Sequence, residues 1–222
     1  MPDKTKTSDR RLAAPGRVAE EPITATTRAA LLGHRGAIVW LTGLSASGKS
    51  TLAAALEKNL FRARVLPVVL DGDVLRTGLS HGLGFSDADR KENIRRAADA
   101  ALLLAVAGAV VVTALISPFR ADRRHIADRC QVRGVAFAEV FVNAPLAECE
   151  RRDPKQLYRR ARAGQLPSFT GIDSPYEPPL APALELRTDR ESVEQSLEKL
   201  TALALNLARL PGAAAGARGA RT

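Results

Sequence analysis

An α/β fold built on a parallel five-stranded sheet, with helices on both faces, is the architecture this sequence predicts. Three observations predict it. Five apolar runs, Ala37 to Thr42, Val65 to Leu70, Ala109 to Ile116, Ala136 to Val142 and a weaker Ala183 to Leu186, alternate with helical stretches. Such alternation marks a parallel sheet covered on both sides. The first run leads directly into the octet GLSASGKS, Gly43 to Ser50. Finally, 222 residues that are 45% hydrophobic and 26% charged suffice for one such domain with a full core.

The first strand rests on Ala37-Ile38-Val39-Trp40-Leu41, rich in β-formers, and the helix after the octet on the Ala- and Leu-rich Thr51 to Leu60. Strand, Gly-rich turn and helix in that order form a phosphate-binding loop. Backbone N–H groups of the turn point inward at phosphates, and a helix beginning near Lys49 adds its positive end. Lys49 then reaches the outer phosphates and Ser50 ligates magnesium. The predicted class is therefore a P-loop nucleoside-triphosphate hydrolase or kinase fold, with ATP held by Gly43, Leu44, Ser45, Ala46, Ser47, Gly48, Lys49, Ser50 and Thr51. Ala46 stands where many such loops have glycine, so a positive φ there would strain it.

The second strand ends at Asp71, and Asp71-Gly72-Asp73 places two carboxylates beside the expected metal and acceptor hydroxyl. One can orient metal-bound water, with Asp71 joining Ser50 as a magnesium ligand, while the other takes a proton. A turn with solvated aspartates is the plainer alternative. Ala100 to Ile116 carries no charge for seventeen residues, close to the length of a membrane span. Gly108 divides it into an Ala/Leu half, continuing a charged helix from Asp87, and a β-branched half suited to a buried strand. Helix, glycine stop and strand is the simpler reading, and no membrane association is expected.

Residues 153 to 182 interrupt the alternation with prolines, Tyr158, Phe169, Tyr176 and several Arg and Lys. This segment reads as a lid, because phosphoryl transfer needs cations that close over the site and exclude water. The domain is expected to span 36 to 210, between a flexible tail at 1 to 35 and a disordered one at 211 to 222.

The net charge of +9 divides unevenly. Residues 1 to 35 carry +3 and 211 to 222 a further +2, leaving +4 for the domain between them. That surplus suits phosphate or sulfate esters better than a nucleic acid, which would call for a clustered basic face with stacking aromatics. Cys130 and Cys149 have no metal-site spacing and are too few for a disulfide framework, which makes reduced thiols in the cytoplasm the expectation. The basic N-terminus lacks the apolar stretch of a secretory signal.

Six ordered blocks, GLSASGKS, DGDVLRTGL, LGFSDADRKENIRR, ISPFRADR, CERRDPKQLYRRARAG and FTGIDSPYE, closely resemble adenylyl-sulfate kinases over Gly36 to about Leu207. The resemblance implies transfer of the γ-phosphoryl group of ATP to the 3′-hydroxyl of adenosine 5′-phosphosulfate in sulfate assimilation. It places Asp73 at the reacting hydroxyl, Arg76, Arg90 and Asn93 on the phosphosulfate and ribose side, and Phe85 and Phe169 around the acceptor adenine. Guanidinium forks and flat aromatic faces suit a sulfate-phosphate anhydride and a purine. Core packing for the phenylalanines and a solvated helix face for the arginines remain alternatives. Lys155 matches a family lysine near the nucleotides, and Ile116 with Ser117 a strand end touching the acceptor. In bacterial relatives the serine matching Ser117 is described as a phosphoserine intermediate, although in-line transfer needs no protein nucleophile. A serine before Pro118 can equally be a loop or cap residue. Val74, Thr77 and Gln156 depart from the asparagine, histidine and glycine usual in the family. The resemblance also implies a homodimer, and the short tails outside it lead to the expectation that a separate sulfate adenylyltransferase supplies the adenylyl sulfate. Two other readings stay open: a P-loop kinase for a sugar acid or nucleoside monophosphate, and a nucleotide-dependent binding module without turnover.

Overall fold

In the computed structural model, which describes residues 22–210, helix α1 (Ala25–Leu32) precedes the first strand. Thr24 caps it reciprocally with Thr27, and Gly33 ends it in the left-handed conformation. This corrects the expectation of a flexible tail through residue 35: the capping box and the packing of Ala29 order the segment after Thr24. Residues 1 to 21 of that tail and the expected tail at 211 to 222 lie outside the described residues.

His34 ties this helix to the sheet. It is 5% exposed, its Nε2 accepts the backbone N–H of Leu66 at 3.1 Å, and its Nδ1 lies 3.3 Å from the Arg35 carbonyl. Nδ1 therefore carries the proton and Nε2 is free to accept. His34→Ala is expected to destabilise the fold by about 2 kcal/mol, because it orphans a backbone donor at the entrance to the second strand. Urea unfolding followed by circular dichroism checks this; an unchanged midpoint would show that the bond is dispensable.

Strands β1 (Ala37–Thr42), β2 (Pro67–Asp71), β3 (Val110–Ala114), β4 (Ala136–Asn143) and β5 (Leu184–Arg187) form one all-parallel sheet in the order β2-β3-β1-β4-β5. The five expected strands are all present, with ends shifted by one or two residues. Central β1 is fully buried, and the period of two divides its side chains between the layers. Ala37, Val39 and Leu41 pack with helices α2 (Lys49–Arg62) and α8 (Val193–Ala208), through Leu52, Leu56, Leu200 and Ala204. Ile38 and Trp40 pack on the opposite face with α4 (Asp87–Val106) and α5 (Arg120–Val132), through Ile94, Ala97, Ala101 and Ile126.

The uncharged stretch resolves as expected: α4 ends at Val106, Gly108 turns with a φ of 113°, and β3 follows, buried along its length. No helix among the described residues is long and apolar enough to cross a membrane. Short helices α3 (Gly72–Thr77), α6 (Leu146–Arg152) and α7 (Leu157–Arg162) complete the chain. The segment from 153 to 182 holds α7 and otherwise irregular backbone, and its Tyr158, Ala161 and Phe169 build a small core with Ala144 and Cys149 beneath the loop after β1. From β1 the chain passes to one side of the sheet, and from β3 it crosses to the other. The carboxyl ends of β1 and β3 therefore flank the crevice where open α/β sheets bind ligands.

Candidate active site

The loop after β1 turns on Gly43. Its φ is 148°, and a Cβ there would stand 2.3 Å from the Val142 carbonyl oxygen, so only glycine fits. Ala46 has a φ of 59°; the strain conditional on that angle is present. Lys49 is 8% exposed, and its ammonium donates to the carbonyls of Gly43 at 2.9 Å and Leu44 at 2.6 Å. Burial pushes Lys49 down to about 8, against the opposing pull of Cys149 and Asp71. Remote residues brace the loop from outside. Tyr158 donates to the Ser45 carbonyl at 3.0 Å, Thr188 to that of Ser47 at 2.8 Å, and Arg152 to the Thr188 carbonyl at 2.6 Å. Sequence reasoning missed these three as loop supports, since each lies more than a hundred residues from the loop it holds, where no local pattern marks the pairing.

Asp71 ends β2 and caps α3, its Oδ1 accepting the Asp73 N–H at 2.9 Å while Oδ2 accepts the Ser50 hydroxyl at 2.6 Å. A hydroxyl and a carboxylate in contact are hard oxygen donors, the kind magnesium takes while keeping several waters and phosphate oxygens. The expected pair thus fits that ion. Asp73 forms an ion pair with Lys155, which reaches across from the segment after α6.

One cavity of about 820 Å³ runs from the phosphate loop to the residues expected on the acceptor side. Ser45, Ala46, Gly48, Lys49, Ser50 and Thr51 line it at one end. Arg76, Phe85, Arg90, Asn93, Ile116, Ser117, Lys155 and Phe169 also line it, with Asp71 and Asp73. Of the predicted site residues, Gly43, Leu44 and Ser47 stand behind this lining. Ser47 is fully buried and Leu44 packs into the small core.

The two phenylalanines differ in setting. Phe85 is 62% exposed, with the Arg76 guanidinium 4.4 Å from its ring centre. Phe169 is buried with its ring edge-on to Tyr158. Arg76 donates to the Gly84 carbonyl at 2.8 Å and Arg90 to Thr170 Oγ1 at 2.9 Å. Burial lowers the pKa of both arginines, the main effect in each. Neither lies on a fully solvated helix face. Asn93 is 5% exposed and its Oδ1 is buried with no hydrogen-bond partner, an acceptor in the lining of this cavity. Ser117 is 2% exposed, has a φ of 39°, and its Oγ accepts Trp40 Nε1–H at 3.0 Å.

The departures from the family pattern are located too. Val74 is 66% exposed on the cavity wall, and Thr77 donates back to the Val74 carbonyl at 2.8 Å. Gln156 opens α7 with a φ of 55°, a left-handed position where the family's usual glycine is free of strain.

A parallel sheet of this order, a glycine-bracketed phosphate loop and an adjoining cavity with paired aspartates define a P-loop kinase. The adenylylsulphate kinase family model matches residues 35–187. An adenylyl-sulfate kinase of Citrobacter koseri is 53% identical over 187 residues, which cover 84% of this chain and 90% of that one. The APS kinase of Mycobacterium tuberculosis, solved in complex with AMPPNP and APS, is 49% identical with a TM-score of 0.72, covering 76% of this chain and 98% of its own. A hexameric APS kinase from Thiobacillus denitrificans is 28% identical with a TM-score of 0.58, over 78% of this chain and 29% of that one. The chain belongs to the adenylylsulphate kinase family.

Proposed function

We propose that this protein transfers the γ-phosphoryl group of ATP to the 3′-hydroxyl of adenosine 5′-phosphosulfate, yielding 3′-phosphoadenylyl sulfate and ADP. The observation that carries the reading is the cavity joining the phosphate loop to two phenylalanines, two partly desolvated arginines and an unpartnered amide oxygen. Inward backbone N–H groups and Lys49 hold the triphosphate, and Arg76 and Arg90 meet the phosphosulfate. Asp73 orients the acceptor hydroxyl and takes its proton, releasing Lys155 from their ion pair to face the developing charge. Ser50 and Asp71 would hold magnesium, which would supply positive charge against the phosphates. The segment at 153 to 182 serves as the lid of the domain at 36 to 210 and excludes water.

ADP release with adenylyl sulfate, and none with gluconate or nucleoside monophosphates, is the expected result of a coupled assay. The reverse selectivity overturns the assignment, and ATP binding without product with any of these acceptors favours the binding-module reading. Transfer is direct in this reading, because no carboxylate or imidazole among the described residues is bonded to Ser117 Oγ to remove its proton, and the one side chain that meets that oxygen, Trp40, donates to it. Ser117→Ala is expected to retain a measurable rate, reduced about tenfold by the loss of one buried hydrogen bond and its loop support. Abolished turnover with the fold intact would argue for a phosphoserine.

The same proposal includes magnesium dependence, a place in sulfate assimilation in the cytoplasm, adenylyl sulfate supplied by a separate sulfate adenylyltransferase, and a homodimer. Light scattering tests the last, a dimer mass supporting it and a monomer or hexamer overturning it.

A further inference from the structure

Arg123 is the most completely engaged buried cation outside the phosphate loop. It sits in the first turn of α5, 2% exposed, and its guanidinium donates to three separate segments. Nε pairs with the Glu139 carboxylate on β4, Nη1 donates to the Ser117 carbonyl at 2.6 Å, and Nη2 to the Glu177 carbonyl at 2.7 Å. Burying a cation is costly, and spending two of its donor groups on backbone carbonyls leaves one carboxylate to offset that cost. The arrangement is better explained by what it holds in place.

What it holds is the junction of the acceptor wall with the far end of the 153 to 182 segment. Ser117 keeps a left-handed backbone, which for a non-glycine residue persists only where its surroundings impose it. Glu177 is stitched to the same loop twice more, through its N–H to the Pro118 carbonyl at 2.9 Å and through its carboxylate, which accepts the Arg120 N–H at 2.8 Å. Next to it, the Tyr176 hydroxyl lies 3.0 Å from Thr42 Oγ1. Thr42 gives its one proton to the Ile116 carbonyl at 2.7 Å, so Tyr176 is the donor; burial pushes its phenol up to about 12, which keeps that proton in place. Phe169 and Thr170, which line the cavity, belong to the segment rooted at this point.

We propose that Arg123 is a positioning residue for the acceptor: its fork locks the Ile116–Ser117 wall and the root of the lid into one unit, fixing Phe169 against the acceptor side of the cavity. The proposal rests on adenylyl sulfate being the acceptor. A lysine at this position has one ammonium on a flexible stem and does not span three separate acceptors.

The test uses the full chain with Arg123→Lys and, as a milder variant that loosens only the carboxylate contact, Glu139→Gln. Trp40 is the sole tryptophan and donates to Ser117 Oγ, so its fluorescence reports on the wall. Arg123→Lys is expected to raise KM for adenylyl sulfate about tenfold, leave KM for ATP within about twofold, and shift the Trp40 emission. Glu139→Gln moves the acceptor KM in the same direction by less, and its split between the two substrates decides the matter if the lysine variant does not fold. An acceptor KM unchanged in folded protein, or both KM values rising in step, overturns the proposal. Failure of the unsubstituted protein to use adenylyl sulfate would instead overturn the functional reading, and it is seen before any substitution is made.

Discussion

Lys49→Ala is expected to lower turnover about a thousandfold while leaving the protein folded. The ammonium lies in a desolvated loop and donates to two backbone carbonyls at 2.9 and 2.6 Å and, more weakly, to the Ser47 hydroxyl at 3.4 Å, so its charge is available to phosphate without competition from a bonded carboxylate. Removing a cation that burial already disfavours takes away transition-state charge and little stability. Steady-state rates alongside a thermal melt check this; turnover like that of the unsubstituted protein would remove Lys49 from the mechanism. The same residue sets a pH dependence. Bound phosphate favours the charged form and raises the pKa of Lys49 above its free value of about 8. kcat/KM for ATP, which reports the free enzyme, is therefore expected to be complete below about pH 8 and to decline as pH rises through it. In Lys49→Ala this decline is expected to vanish.

Asp73→Asn is expected to cost at least about a hundredfold in turnover, because an amide of the same shape accepts no proton from the acceptor hydroxyl. ATP affinity should stay within about threefold, since Asp71 and Ser50, at the triphosphate end, are untouched. The Asp73 and Lys155 side chains are 68% and 54% exposed, so breaking their ion pair changes stability by less than about 1 kcal/mol. A lost rate therefore reads chemistry, and isothermal calorimetry with a non-hydrolysable ATP analogue separates binding from transfer. Retained activity would assign proton removal to another group.

Much of this architecture was legible because it depends on short-range pattern. β1 and β3 carry no charge and are apolar except for Thr42 and Thr113, as suits buried parallel strands, and Gly108 marks the helix-to-strand turn inside a stretch long enough to suggest a membrane. The octet is local by nature, with glycines, lysine and serine acting within one turn. The proposed acceptor side carried a weaker signal. Arg76, Phe85, Arg90, Asn93 and Phe169, which line the cavity, were singled out through ordered blocks resembling a family, since nothing in their spacing tells a pocket from a helix face or a core. The segment at 25 to 32 was missed because a reciprocal cap between Thr24 and Thr27 is a weak signal beside the basic, Pro- and Gly-containing residues before it.

By itself, then, the chain's order of residues determined the five strands, the phosphate loop and the kinase family, all of which are written in contiguous blocks. Tertiary structure alone decided that Lys49 is desolvated, that Lys155 meets Asp73, that Ser117 Oγ accepts the Trp40 Nε1–H, and that Arg123 binds three segments at once. The last three join segments far apart in the chain through side-chain geometry, and the desolvation of Lys49 comes from the packing around its loop. Burial and hydrogen-bond partnership exist only once the sheet has brought distant strand ends to one edge.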